Sequence, residues 1–123
     1  MPGALRINCT GRPHEAPKLV PLNVPLFVAT DMVDAPTLAA LRAAFPCTIL
    51  LRDLADVPEV RTLNRLVSAD DGVPLGPFLA PLLDAAIVSR AWAAVGTEGS
   101  TFSTYVEDLL WRREHGYPIV ERG

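Results

Sequence analysis

Residues 26–51 read LFVATDMVDAPTLAALRAAFPCTILL, and this stretch decides the fold. Leu26 to Thr30 is short, apolar and rich in strand formers, which predicts a buried strand. Asp34 stands two residues before Pro36, a pairing that suits an N-cap followed by proline in the first helical turn. Leu38, Leu41 and Phe45 then recur at helical spacing, and Pro46 closes the helix. Cys47 to Leu51 is a second apolar run, bounded by Pro46 and by Arg52-Asp53. Strand, helix and strand at this spacing predict a β-α-β unit, and with it parallel pairing.

Downstream of this unit the pattern turns helical. Residues 57–66, VPEVRTLNRL, place Val60, Leu63 and Leu66 on one side of a helix that starts near Pro58. Residues 67–77 form a loop turning at Asp71-Gly72. Residues 78–92, FLAPLLDAAIVSRAW, form a strong helix with Pro81 in its first turn, which would set Asp84 about one turn in. Ala93 to Gly96 is expected to be a minimal third strand. Residues 101–116 form the last helix, with Val106, Leu109 and Leu110 on its core side. Glu107 and Asp108 lie early and Arg112 and Arg113 late, as the helix dipole prefers. Gly116 ends it. The expected architecture is a three-layer α/β domain with a small parallel sheet, residues 25–123, after an irregular proline-bearing lead-in, residues 1–24.

The 123-residue length suits one domain, and 50% apolar with 20% charged residues is an ordinary globular composition. A net charge of −3 without a basic stripe gives nucleic-acid binding no electrostatic support. The first residues lack the apolar core and cleavage site of a signal peptide. The run from Leu19 to Ala29 is short and broken by Pro21 and Pro25, so it predicts no transmembrane helix. Cys9 and Cys47 are too few for a disulfide framework, and Cys47 reads as a buried thiol. Asn8-Cys9-Thr10 matches the glycosylation acceptor pattern, a match that chance explains without a signal sequence. His14 and His115 are flanked by nothing ligand-like, so no metal site is expected.

In sheets of this kind ligands bind beyond the carboxyl ends of the strands. Two polar features fall there: Ala29-Thr30-Asp31, and residues 97–104, TEGSTFST. Five of these eight residues carry a hydroxyl. The hydroxyl-rich turn has two readings. A helix N-terminus with unpaired N–H groups, close-approach glycines (Gly96, Gly99) and the donors Ser100, Thr101, Ser103 and Thr104 would receive phosphate. Alternatively one hydroxyl is simply the N-cap, and Thr104 with Glu107 matches a capping box. No GK[ST] follows the glycines, and the G-x-G-x-x-G spacing is absent. Asp84 likewise has two readings, a dipole partner in a first helical turn or an acceptor for a ligand hydroxyl or base N–H. Asp31 is either a turn former or a ligand acceptor.

FVATD with TLAALRAAFP, then FLAPLLDAAIVSRAWAAVGTEGSTFSTYV, resembles the C-terminal half of the GDP-fucose protein O-fucosyltransferases and their fungal and plant relatives. Ala29-Thr30-Asp31, Asp84, Gly96-Thr97 and Ser100-Thr101-Phe102-Ser103 follow the family's order, over about residues 24–112. The resemblance implies the Rossmann-like, donor-binding half of a GT-B glycosyltransferase. It carries Asp84 to the nucleoside end of GDP, and Ser100, Thr101, Phe102 and Ser103 to the diphosphate end. The implied reaction is inverting, metal-independent transfer of fucose to a hydroxyl. The family's H-x-R-R motif, whose arginine neutralises the leaving phosphate, is not in this sequence; Arg12 and His14 stand in reverse order. The resemblance therefore implies a donor-binding part inactive alone, its N-terminal acceptor domain absent, with a docking face that could self-associate. Family members usually work in the secretory pathway, and the sequence itself leaves compartment and acceptor open. The rivals are a non-catalytic nucleotide- or phosphate-binding module and a structural α/β interaction domain.

Overall fold

The computed structural model describes residues 9, 11–30 and 34–121. The chain divides into two compact units, Met1–Asp53 and Leu54–Gly123.

The first unit holds the expected β-α-β arrangement in short form. Strand β1 is Leu26–Phe27 and β2 is Thr48–Ile49, paired in parallel with Leu26 opposite Thr48 and Phe27 opposite Ile49. The ladder is flanked by bonds from Leu26 N to the Cys47 carbonyl (3.1 Å) and from Val28 N to the Ile49 carbonyl (2.9 Å). Between them runs α1, Ala35–Ala44. Asp34 is its N-cap: one carboxylate oxygen accepts from Thr37 N at 3.0 Å and the other from the Thr37 hydroxyl at 2.7 Å. These two bonds, the hydroxyl's the stronger, hold the Asp34 carboxyl below its ordinary range. Leu38, Pro46, Cys47, Thr48, Ile49 and Leu50 are buried. At the end of β2 the Asp53 carboxylate accepts from Leu50 N at 2.9 Å and pairs with Arg42 at 3.0 Å, tying α1 to the turn at Leu51–Leu54.

Residues 9 and 11–24 are stitched to this unit. Gly11 N donates to the Pro46 carbonyl at 2.9 Å, and His14 Nε2 contacts the Ala44 carbonyl at 2.9 Å. His14 and Asn23 exchange two further bonds across a short 3-10 turn, Val20–Asn23. Cys9 and Cys47 are joined in a disulfide, where the sequence suggested a thiol at Cys47. Pairing across 38 residues is a tertiary event that local sequence does not encode.

The second unit is helical. Helix α2, Pro58–Arg65, packs on α3, Gly76–Ser89, through its buried Val60. The connection turns at Gly72, whose φ of +71° requires glycine, with Val73 N bonded to Asp71 Oδ1. The last helical stretch covers residues 101–114 without a break: α4 (Thr101–Tyr105), one wide π segment (Val106–Trp111) and α5 (Arg112–Glu114). Its π segment packs along α3, with Val106 buried. Trp111 Nε1 donates to the Ala91 carbonyl at 2.9 Å, and His115 and Tyr117 both stack on the Trp111 ring. Gly116, at φ +76°, ends the stretch.

The described residues are thus mixed helix and strand, with a small two-stranded parallel sheet. The third strand does not form. Residues 93–96 are irregular and Val95 is 96% exposed, with no partner strand among the described residues to complete a ladder. A short apolar run has no strand character without such a neighbour.

Candidate functional site

The hydroxyl-rich turn is built from two interlocked contacts. Ser100 is the N-cap of residues 101–114: its Oγ accepts from Ser103 N at 3.2 Å. Ser103 Oγ in turn accepts from Thr97 N at 3.0 Å, folding the incoming chain back on the helix. Gly96 makes this approach possible. A Cβ there would lie 2.5 Å from Ser103 Cβ and 2.8 Å from Glu107 Oε1. Gly99 turns the chain at φ +77°. The Thr104–Glu107 capping box is not formed, because Ser100 caps the helix and Thr104 already lies inside it.

Ser100 and Ser103 therefore have structural duties. Thr101 and Phe102 differ. Both are exposed in the first turn, where backbone amides have no intrahelical acceptor. Among the described residues the Thr101 hydroxyl has no bonding partner. An anion approaching this end would meet the Thr101 hydroxyl, the Thr101 and Phe102 amides and the positive end of the dipole.

Asp84 lies deeper in its helix than expected. Helix α3 starts at Gly76 with Pro77 in its first turn, so Pro81 is inside the helix and Asp84 is more than two turns from the start. Either proline fits a first turn by local sequence, and Pro77 is the one that opens the helix. The consequence is chemical. A macrodipole acts within the first turn, so Asp84 is no dipole partner. The residue is 9% exposed and its Oδ1 is buried without a hydrogen-bond partner. Burial pushes its carboxyl up to about 6 from an ordinary 3.8.

The structure brings Ser100 and Ser103 into direct contact, with Gly96 and Thr97 against them. Asp84 lies on α3, and its buried Oδ1 makes no hydrogen bond to the turn. Asp31 lies outside the described residues, as does Asn8. One open groove of about 440 Å³ runs between α3 and residues 105–114, lined by Leu82, Leu83, Ala86, Ile87, Tyr105 and Leu110 among others. Arg90 and Glu114 face each other at 4.0 Å among its lining residues. Neither Asp84 nor the Ser100–Thr101 turn lines this groove. Phe78, Leu82 and Trp92 are large apolar residues left mostly exposed in this unit. The resemblance implies a docking face without assigning residues to it, and no local motif marks this groove or these exposed side chains. The apolar residues spaced around α3, on more than one face, were the available signal.

Among the described residues no three His, Cys, Asp or Glu side chains converge as a metal site, and no helix is long and apolar enough to cross a membrane. No family model, curated protein or solved structure matches the chain.

Proposed function

We propose that this chain is the donor-binding part of a fucosyltransferase-like glycosyltransferase, taking GDP or a GDP-sugar. The buried, unpartnered Oδ1 of Asp84 carries the reading. An unsatisfied buried acceptor costs about 1–3 kcal/mol, a loss that a ligand N–H or hydroxyl would recover once the side chain turns outward to meet it. The Thr101 hydroxyl and the Thr101 and Phe102 amides supply the complementary chemistry for a diphosphate. On this reading Asp84 meets the nucleoside, and Thr101 and Phe102 meet the phosphates. Ser100 and Ser103 shape the turn and present their remaining hydroxyl capacity.

The transfer step belongs to a cleft shared with an acceptor-side domain. There an acceptor hydroxyl attacks the anomeric carbon, its proton passes to a base, and the bond to the diphosphate oxygen breaks. Stabilising the departing diphosphate is the largest demand, and a helix N-terminus meets part of it. The chain alone is expected to transfer no sugar at a useful rate; fucose transfer by the isolated chain would refute that expectation.

One observation favours a second reading, a structural α/β domain. Ser100 and Ser103 are both engaged in holding the turn. A thermal-shift titration with GDP, GTP, AMP and inorganic phosphate separates the two. A ligand specific for the folded state at a hundredfold excess over its Kd adds about 2.7 kcal/mol. A shift favouring guanine nucleotides supports donor binding, a shift with every phosphate supports a general anion module, and no shift supports the structural reading.

A further inference from the structure

The first unit has a thin core. Its sheet is two residues per strand, and among the described residues its buried apolar side chains are few: Leu38, Cys47, Ile49 and Leu50, with Pro46 beside them. Units of this size with so little apolar burial need a covalent or metal staple. The Cys9–Cys47 bond falls where such a staple acts. Cys47 is buried and its carbonyl accepts the bond that opens the β1–β2 ladder, while Cys9 is exposed on the arm. The arm is seated independently of the bond. A Cβ on Gly11 would meet Pro46 Cα at 3.1 Å and the Arg42 carbonyl at 3.2 Å, and His14 reaches the Ala44 carbonyl.

We propose that the Cys9–Cys47 disulfide is a structural clasp that the first unit needs, and that the chain matures in a thiol-oxidising compartment. Disulfides of this kind persist where thiols are oxidised and are rare where glutathione keeps them reduced. Closure is an exchange with a low-molecular-weight disulfide. The two cysteine thiols give up two protons and two electrons, one S–S bond forms, and the oxidant's S–S bond breaks to two thiols. Opening in the folded state is slow. An external thiolate reaches only Cys9, so Cys47 must leave as a thiolate in apolar surroundings that disfavour it.

The test uses the full chain refolded in a glutathione redox buffer. Thiols are counted in denaturant, and amide exchange over residues 46–51 is followed by mass spectrometry with and without reductant. The clasp predicts no free thiols. Closing a loop of 38 residues predicts exchange on the order of several hundredfold faster once the bond is reduced. Cys9→Ser, which alters the exposed partner, should exchange like the reduced chain and ignore reductant. Two free thiols after refolding would overturn the proposal, and so would unchanged exchange on reduction. If Cys9→Ser fails to fold, the reductant arm on the unaltered chain decides alone.

Discussion

Ser103 Oγ accepts a hydrogen bond from Thr97 N at 3.0 Å, and this bond closes the turn that enters the last helix. It exists because position 96 has no side chain. The Cβ of any other residue would stand 2.5 Å from Ser103 Cβ, well inside contact distance. Gly96→Ala should therefore destabilise the chain by about 1–3 kcal/mol, as overpacking does. Denaturant unfolding at constant m reads the change directly.

Ser100 and Thr101 are neighbours with different predicted phenotypes. Ser100→Ala removes the N-cap and should cost about 1 kcal/mol of stability. Thr101→Ala removes an exposed hydroxyl and should leave stability within about 0.5 kcal/mol. Only if the turn receives a phosphate will Thr101→Ala weaken nucleotide binding. Paired melting and binding curves for the two variants separate cap from site.

Asp84 should make the protein less stable as pH rises. Its folded pKa of about 6 lies above the ordinary 3.8, so in that window the folded chain holds a proton that the unfolded chain has released. Stability contributed by this group is full below about 3.8 and falls as pH climbs towards 6, by about 3 kcal/mol at most. Asp84→Asn cannot ionise. It should melt higher than the parent at pH 7.5 and lose the slope between pH 4 and 6. A parent chain whose stability from this group rises across that window would contradict the burial of the carboxylate.

The same titration sets the pH dependence of binding. If the ionised carboxylate accepts ligand hydrogens, binding must first remove the proton held with a pKa of about 6. Affinity for GDP should then be about tenfold weaker at pH 5 than at pH 7.5. Calorimetry at the two pH values would also show close to one proton passed to buffer per GDP bound at pH 5 and almost none at pH 7.5.

The features legible in the sequence are those made by neighbours along the chain. The Asp34 cap, the Asp71-Gly72 turn and the Gly116 stop each depend on a few adjacent residues, and each stands as read. What was not legible depends on distant partners or on a choice between equal local signals. Residues 93–96 look like a strand, but a strand needs a neighbour to bond. The Cys9–Cys47 pairing spans the first unit. The depth of Asp84 depended on whether Pro77 or Pro81 opened α3, and Gly76-Pro77 was the true start. That one register choice hid the most informative fact about the candidate site, because an aspartate beyond the second turn can no longer be explained by the dipole.

The most direct test of donor binding is a GDP titration by calorimetry at pH 7.5, on the parent chain and on Asp84→Asn. The account predicts one site that prefers GDP over AMP in the parent, and loss of that binding in a variant that is itself more stable. Equal GDP binding in the two proteins, or none in a cooperatively folded parent at millimolar nucleotide, would contradict it.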